Sequence, residues 1–477
     1  MEQERGPAPL ANRFQPGPGP TVVPKARKAS KASKSKARAA KPARKPAKSQ
    51  ARGKAKGKPA KRASPAPKGV QVVRPSVARP DEDGSAMPAF EVRLDASQMA
   101  KASSPMAAAA EQANAMNAAK LAAAKPAPAP SGGLTYAQTG VDIHREDKAI
   151  EALAGMVNFQ RQGFGAPLGR IGHFAGLVDF GPEHALVLCT DGVGSKVEIA
   201  NAVRKWDTVG IDCVAMNVND CICVGAEPLA FVDYLAVQDP DPALTQQIGV
   251  GLNEGCRQAN CSLIGGETAS LPGIIKGFDL AGTCMGFGRK ADLVDGSKIK
   301  PGDVLIGLAS TGIHSNGYSL ARRAFEAAGH KYTDPWPWAD DKAYAGKSIG
   351  EVLLEPTRIY VREVLALLKS GIPVHGLSHI TGSGLRKLRR INQGVKYDVA
   401  EPLPVHSVFK RVQQLGKVAP AEMYKTFNMG MGFVVVVPEP HAKKALSLLK
   451  GLVDYQVKAV GKVAKGSGVH HPVGGIH

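Results

Sequence analysis

The chain has 477 residues, with 62 Lys+Arg against 41 Asp+Glu and a formal net charge of +21. Residues 1–130 carry 26 basic and 8 acidic residues, and Phe14 and Phe90 are their only aromatics, so they cannot bury enough apolar surface to offset the entropy of ordering. A disordered basic tail is expected there, and residues 131–477, nearly neutral, are long enough for two cores. No run approaches the ~18 apolar residues of a membrane span. The first twenty residues include Glu2, Glu4 and several prolines and do not read as a secretory signal. The seven cysteines all fall between Cys189 and Cys284, an odd and clustered set that fits reduced thiols in a cytoplasmic protein rather than a disulfide framework.

In chain order, residues 25–62 come first, with 17 Lys/Arg and no acid among Ala, Pro, Ser and Gly. Pro blocks helix and like charges extend the chain, so this run is a solvated tail able to make non-specific nucleic-acid contact by counterion release. Residues 99–124 are Ala-rich and read as a transient helix. Order is expected from Leu134, where apolar runs of strand length begin to alternate with helical patterns. Residues 185–189 form an apolar strand that stops at Thr190. Residues 208–224 carry a helical stripe of Ile211, Val214, Val218 and Ile222. Residues 262–264 read as a buried strand broken by Gly265 and Gly266. Pro301, Gly302 and Asp303 introduce another strand at 304–308. The pattern predicts an α/β protein of α+β layers, with an N-terminal domain at 131–300 and a C-terminal domain at 301–477.

Four strand ends deliver polar groups into glycine turns. In T-D-G-V-G-S-K at 190–196, Gly192 and Gly194 let backbone N–H groups converge on an anion, Ser195 adds a hydroxyl, and Lys196 offers a point charge for phosphate. Asn217 and Asp220, spaced i and i+3, would share one helix face suited to a hard cation. Gly265, Gly266, Glu267 and Thr268 end the third strand. Asp191, Asp220 and Glu267 together would make a carboxylate cage for Mg²⁺ bridging nucleotide phosphates. Two histidine turns follow, G-I-H-S-N-G at 312–317 and H-I-T-G-S-G at 379–384, each suited to phosphate or substrate contacts. Gly286, Gly288 and Ala291 match a dinucleotide spacing without the helix it needs, and Cys221 and Cys223 lack a second pair at zinc spacing, so both are set aside.

These segments, with Tyr136 and G-V-D-I at 140–143, D-T-V-G-I-D at 207–212, P-T-R-I-Y at 356–360 and E-M-Y-K-T-F-N-M-G at 422–430, resemble the aminoimidazole ribonucleotide synthetase family from residue 134 to about 463. The resemblance implies a two-domain ATP-binding synthetase fold whose N-terminal domain also forms a homodimer. It implies purine-biosynthesis ligase chemistry, the ATP-dependent cyclisation of formylglycinamidine ribonucleotide to aminoimidazole ribonucleotide with ADP and phosphate released. Cofactors would be ATP and Mg²⁺, with K⁺ a candidate second cation. ATP would meet Asp142, Asp191, Gly192, Gly194, Ser195, Lys196, Asn219, Gly266, Glu267 and Thr268. The substrate would meet His314, Ser315, Asn316, His379, Thr381 and Gly382, with Lys196, His314 and Asp220 carrying the catalysis. Ser383 departs from the pattern, standing where many relatives have a third glycine, and serine resists positive φ. Thiamine-monophosphate kinase and selenophosphate synthetase share the fold but differ in motifs: the first lacks the H-S-N-G-Y-S turn, and the second needs a reactive Cys near its start. A nucleic-acid binder with a spent enzyme domain is opposed by the intact Asp191, Lys196, Asp220, Glu267 and His314.

Overall fold

In a computed structural model the described residues are 133–169 and 171–476. The basic run 25–62, the transient helix at 99–124 and the tail as a whole lie outside them.

Helix α1 (Ile143–Met156) opens the described chain. Strands β1 (Pro167–Leu168), β2 (Gly176–Phe180) and β3 (His184–Gly192) follow, then α2 (Val197–Val203), α3 (Asp207–Ile222), β4 (Glu227–Val237), α4 (Pro242–Ala259), β5 (Ser262–Ser270) and β6 (Phe278–Arg289). These strands form one sheet of order β1-β2-β3-β6-β4-β5, antiparallel except for the β4–β5 pair. Alternation along β3 sends Val187 and Cys189 toward α3 and leaves Leu188 half exposed on the other face. Helices α3 and α4 cross closely because Gly210 and Gly251 face each other's backbone; a Cβ on Gly251 would sit 2.1 Å from the Asp207 carbonyl oxygen.

The second half begins with β7 (Val304–Ala309), as the Pro-Gly-Asp signal predicts. It continues through α5 (Tyr318–Ala327), α6 (Ile349–Leu353), α7 (Val361–Lys369), β8 (Gly376–His379), a 3₁₀ helix (Gly384–Arg390), β9 (Lys396–Asp398), α8 (Ser407–Gly416), α9 (Pro420–Thr426), β10 (Met431–Val437), α10 (Glu439–Leu452) and β11 (Val457–Ala464). Two short strands, β12 (Gly468–His471) and β13 (Gly474–Ile476), finish a seven-stranded sheet of order β13-β12-β9-β11-β7-β10-β8. Every residue of β10 is buried. One hydrophobic cluster runs through both halves.

Two strand expectations change. Strand β3 does not stop at Thr190 but pairs on through Gly192. Strand β5 is neither buried nor broken at its glycines: it runs to Ser270 as an edge strand beside β4, nearly all of it exposed. Gly266 is required there by a close approach, since a Cβ would meet the Asp233 carboxylate at 2.2 Å.

Helix α3 is buried almost all round, with Asp212, Asn217, Asn219 and Asp220 among the buried residues. The apolar stripe packs on the first sheet. Asp212, Asn219 and Asp220, spaced at helical period, bond the second half instead. Asp212 accepts from the Thr357 amide at 2.7 Å and hydroxyl at 2.6 Å. The Asn219 amide donates to the Arg358 carbonyl at 2.8 Å, and its oxygen accepts the Tyr360 N–H at 2.9 Å. Asp220 pairs with His379 at 2.8 Å. The polar residues of this helix form the seam between the two sheets, not a solvated face.

Candidate functional site

The turn after β3 and the helix α3 bring Asp191 and Asp220 together. The Asn217 side-chain amide donates to the Asp191 carbonyl at 3.1 Å and ties the strand end to the helix. Burial and the charge of Asp220 raise the Asp191 carboxyl above the usual carboxylate range. His379, fully buried at the end of β8, donates from Nδ1 to Asp220, and its Nε2 faces the Asn219 amide at 3.4 Å. The contact through Nδ1 orients the Asp220 carboxylate.

A cleft of about 400 Å³ has walls that include Gly194, Ser195, Ser315, Asn316, Gly382, Ser383 and Lys387; neither Asp191 nor Asp220 lines it, though the charge of Lys387 reaches Asp191. Gly194 has φ +67 and open space around its Cα. The second histidine turn packs on the first, because a Cβ at Gly382 would meet the Asn316 side-chain oxygen at 2.4 Å. A further cleft of about 730 Å³, lined by apolar groups such as Leu168, Ile171, Phe174 and Leu177, reaches Thr190.

The structure moves several expected residues away from this chemistry. Lys196 is fully buried: its ammonium donates to the Glu355 carbonyl at 2.7 Å and the His314 carbonyl at 3.0 Å and is ion-paired with Asp212 Oδ2 at 2.7 Å. The expected catalytic and ATP-binding Lys196 thus points into the seam and does not line the cleft. His314 is also buried, with φ +68; its Nε2 accepts the Thr311 N–H at 3.2 Å, and burial holds the ring neutral. It shapes its loop while its neighbours Ser315 and Asn316 line the cleft. Both histidines and Thr381 are buried, and none of the three lines this cleft; His314 Nδ1 is a buried nitrogen without a protein partner. Asn219 spends its amide on the seam. Asp142 accepts the Arg145 N–H at 3.3 Å at the start of α1, the position of an N-cap.

The three-carboxylate cage does not form within one chain. Glu267 pairs with Tyr234, which pairs with Ala281, which pairs with Gly192. Three strand spacings put it roughly 14 Å from β3, in register with Gly192, so its side chain leaves the face opposite Asp191. Thr268 lies beside it on the same exposed edge. Among the described residues no three His, Cys, Asp or Glu side chains gather at metal-binding distance. Two oxygen-donor carboxylates whose charges oppose each other still suit Mg²⁺, which keeps waters and takes its other ligands from phosphate.

Sequence reasoning passed over the 3₁₀ helix Gly384–Arg390, whose Lys387 and Arg390 line the same cleft, and His173, whose buried ring nitrogens meet no protein partner. A basic run directly after a glycine turn was the available signal. The seven cysteines are free thiols, six of them buried. No helix among the described residues is long and apolar enough to cross a membrane.

Comparison with known proteins places this arrangement in a class. Residues 172–287 match the family description "AIR synthase related protein, N-terminal domain" and residues 300–473 match "AIR synthase related protein, C-terminal domain". The chain belongs to the AIR synthase family. It is 52% identical over 332 residues to the phosphoribosylformylglycinamidine cyclo-ligase of Methanosarcina acetivorans, covering 70% of this chain and 95% of that protein. The same-named protein of Methanococcus maripaludis strain C6 is 50% identical over 315 residues, covering 66% of this chain and 88% of its own. A solved thiamine-monophosphate kinase from Stenotrophomonas maltophilia aligns at 20% identity with a TM-score of 0.47, over 69% of this chain and 95% of its own.

Proposed function

We infer that this chain is a phosphoribosylformylglycinamidine cyclo-ligase, which closes formylglycinamidine ribonucleotide to aminoimidazole ribonucleotide and turns ATP into ADP and phosphate. Its membership of the family and identity to same-named relatives over nearly their whole length support the reaction. The observation that carries the site is that Asp191 and Asp220 feel each other's charge and that of Lys387, which lines the cleft walled by Ser195 and Ser315.

An amide oxygen is a poor leaving group. Transfer of the ATP γ-phosphoryl to the formyl oxygen turns it into phosphate, a good one. The amidine nitrogen then attacks the formyl carbon, the C–O bond breaks, and the ring closes as phosphate departs with that oxygen. Both steps depend mainly on holding reacting atoms together. In this reading the backbone N–H groups of Gly194 and Ser195 and the Ser195 hydroxyl would hold nucleotide phosphates, and Ser315, Asn316 and Gly382 the substrate; the Gly192 and Val193 N–H groups are bonded to Asp191 Oδ1 and the Leu280 carbonyl. Asp191 and Asp220 would hold Mg²⁺, which when bound offsets charge on the transferring phosphoryl group. His379 keeps the Asp220 oxygens aimed.

A homodimer through the first sheet is part of this reading. Its outer face leaves Leu188, Val232 and Tyr234 exposed, and edge strand β5 exposes Leu263 and Ile264. Cytoplasmic location follows from the reaction's small-molecule substrates, and the tail at 25–62 remains a candidate for non-specific nucleic-acid contact.

The test is ATP-dependent aminoimidazole ribonucleotide formation by the purified chain. Asp220→Asn removes one charge from the pair and should lower kcat/KM by roughly 10²-fold, about 2.7 kcal/mol, with the Mg²⁺ requirement shifted upward. Normal turnover with an unchanged Mg²⁺ titration would remove Asp220 from the metal.

A further inference from the structure

With Lys196 spent inside the protein, the cleft still needs a cation to meet a transferring phosphoryl group. The 3₁₀ helix Gly384–Arg390 supplies one. In a 3₁₀ helix residues i and i+3 eclipse, so Gly384, Lys387 and Arg390 share one face. Leu385 and Leu388, buried at 1% and 0%, occupy another face and anchor the helix in the core. Arg386 is engaged elsewhere, with Asp147 at 3.8 Å.

Lys387 and Arg390 both line the cleft of about 400 Å³ that contains Ser195, Ser315 and Asn316. Both also line an adjoining cleft of about 470 Å³. Both lie at the outer range of a cation–π contact with one ring, Lys387 Nζ 6.0 Å and the Arg390 guanidinium 5.8 Å from the centre of Phe174. No described carboxylate lies within ion-pair distance of Lys387, although its charge is felt by Asp191. A cation held near two carboxylates, yet bonded to neither, can accept a phosphate between itself and a metal-bound carboxylate pair. His173, next in chain to Phe174, adds a ring with no protein partner beside Asp220 and Arg390.

We propose that Lys387 is the catalytic cation of the phosphoryl-transfer step, contacting the phosphate that passes from ATP to the formyl oxygen, with Arg390 beside it. This rests on the cyclo-ligase reading of the cleft and names a residue to which that reading gives no role. Lysine suits the position: a compact point charge follows a phosphoryl group moving between two oxygens. The groups around it are Arg390, Asp191, Asp220 and Cys223, with Glu146 and Asp147 of α1 on the wall of the same cleft, and burial with Arg390 brings Lys387 down to about 8.

The experiment compares the full chain with Lys387→Met, Lys387→Arg and, as a control outside this cleft, Arg389→Met. Lys387→Met should lose 10²-fold or more in kcat/KM, and Lys387→Arg should recover a substantial part. Activity of the parent should fall as pH rises through about 8; Lys387→Arg, which stays protonated, should extend it to higher pH. Arg389→Met should keep parental kcat. Calorimetric titration with Mg²⁺ and a non-hydrolysable ATP analogue gives a second readout, expected at least tenfold weaker in Lys387→Met with an unchanged melting temperature. If the parent makes no aminoimidazole ribonucleotide, the cyclo-ligase reading falls, and nucleotide affinity alone decides the role of Lys387. Parental kcat/KM and parental nucleotide affinity in Lys387→Met would overturn the proposal. If Lys387→Met fails to fold, Lys387→Arg decides: an unchanged pH profile overturns it.

Discussion

Ser383 occupies the left-handed region at φ +70, where the resemblance expects glycine and where serine's Cβ meets the backbone. It stands at the start of the helix that carries Lys387, so its strain is stored beside the site. Ser383→Gly should stabilise the protein by roughly 0.5–1 kcal/mol, the left-handed penalty less glycine's extra unfolded-state entropy, read as a higher melting temperature. A lower one would mean that the hydroxyl makes an interaction worth more than the strain. Asp191 gives a pH-dependent case. A carboxyl raised in the folded state stabilises the fold in its protonated form; that contribution is complete below about pH 4 and lost as pH rises through the raised folded value. Without nucleotide, Asp191→Asn should therefore be more stable than the parent at pH 7, with the difference disappearing toward pH 4. Urea denaturation at the two pH values measures it, and equal stability at pH 7 would deny the repulsion with Asp220.

At the scale of elements, α3 and the turn before α2 are pinned to the second half by buried polar bonds. The Lys196–Asp212 pair is the centre of that seam, both side chains at 0% exposure and both opposed by burial. Removing one partner strands the other charge away from water. Lys196→Met should therefore cost about 3–5 kcal/mol of unfolding free energy. Adding Asp212→Asn should return part of the loss, because the stranded carboxylate goes with it. A Lys196→Met protein with parental stability and greatly reduced kcat would return Lys196 to the chemistry. The helix itself was legible from its apolar stripe. The destination of Asp212, Asn219 and Asp220 was not, because period alone says which residues share a face and not what covers that face.

At the scale of the whole molecule, the charge partition separates the catalytic part from the tail. Among the described residues those lining the cleft fall between Tyr136 and Arg390, and deleting residues 1–130 removes most of the net positive charge. A chain starting at Ser131 should keep its kcat and its melting temperature, while losing salt-sensitive retention on immobilised nucleic acid. Collapse of turnover in a folded, shortened chain would place the tail in the active site. The exposed outer face of the first sheet belongs to the same scale: its half-exposed Leu188, Val232 and Tyr234 are aligned by strand alternation on the face that the proposed homodimer would cover.

The sequence by itself determined the second-half strand at Val304 and the glycine turns that wall the cleft. Each of these depends on local chemistry: apolar period, or a residue able to take an unusual φ. It also carried the family, because many short motifs in a fixed order are specific even when each alone is weak. Tertiary structure decided the use of each charged group. Lys196 follows a glycine turn as a phosphate-binding lysine would, yet two carbonyls and a carboxylate from distant parts of the chain hold it in the seam. Glu267 looks like a third metal carboxylate until sheet order sets it three strands from Asp191. Lys387, unremarked in a basic run, reaches the cleft because two leucines turn its helix inward. Hydrogen-bond capacity and strand order are properties of the assembled chain, and no local pattern encodes which partners arrive.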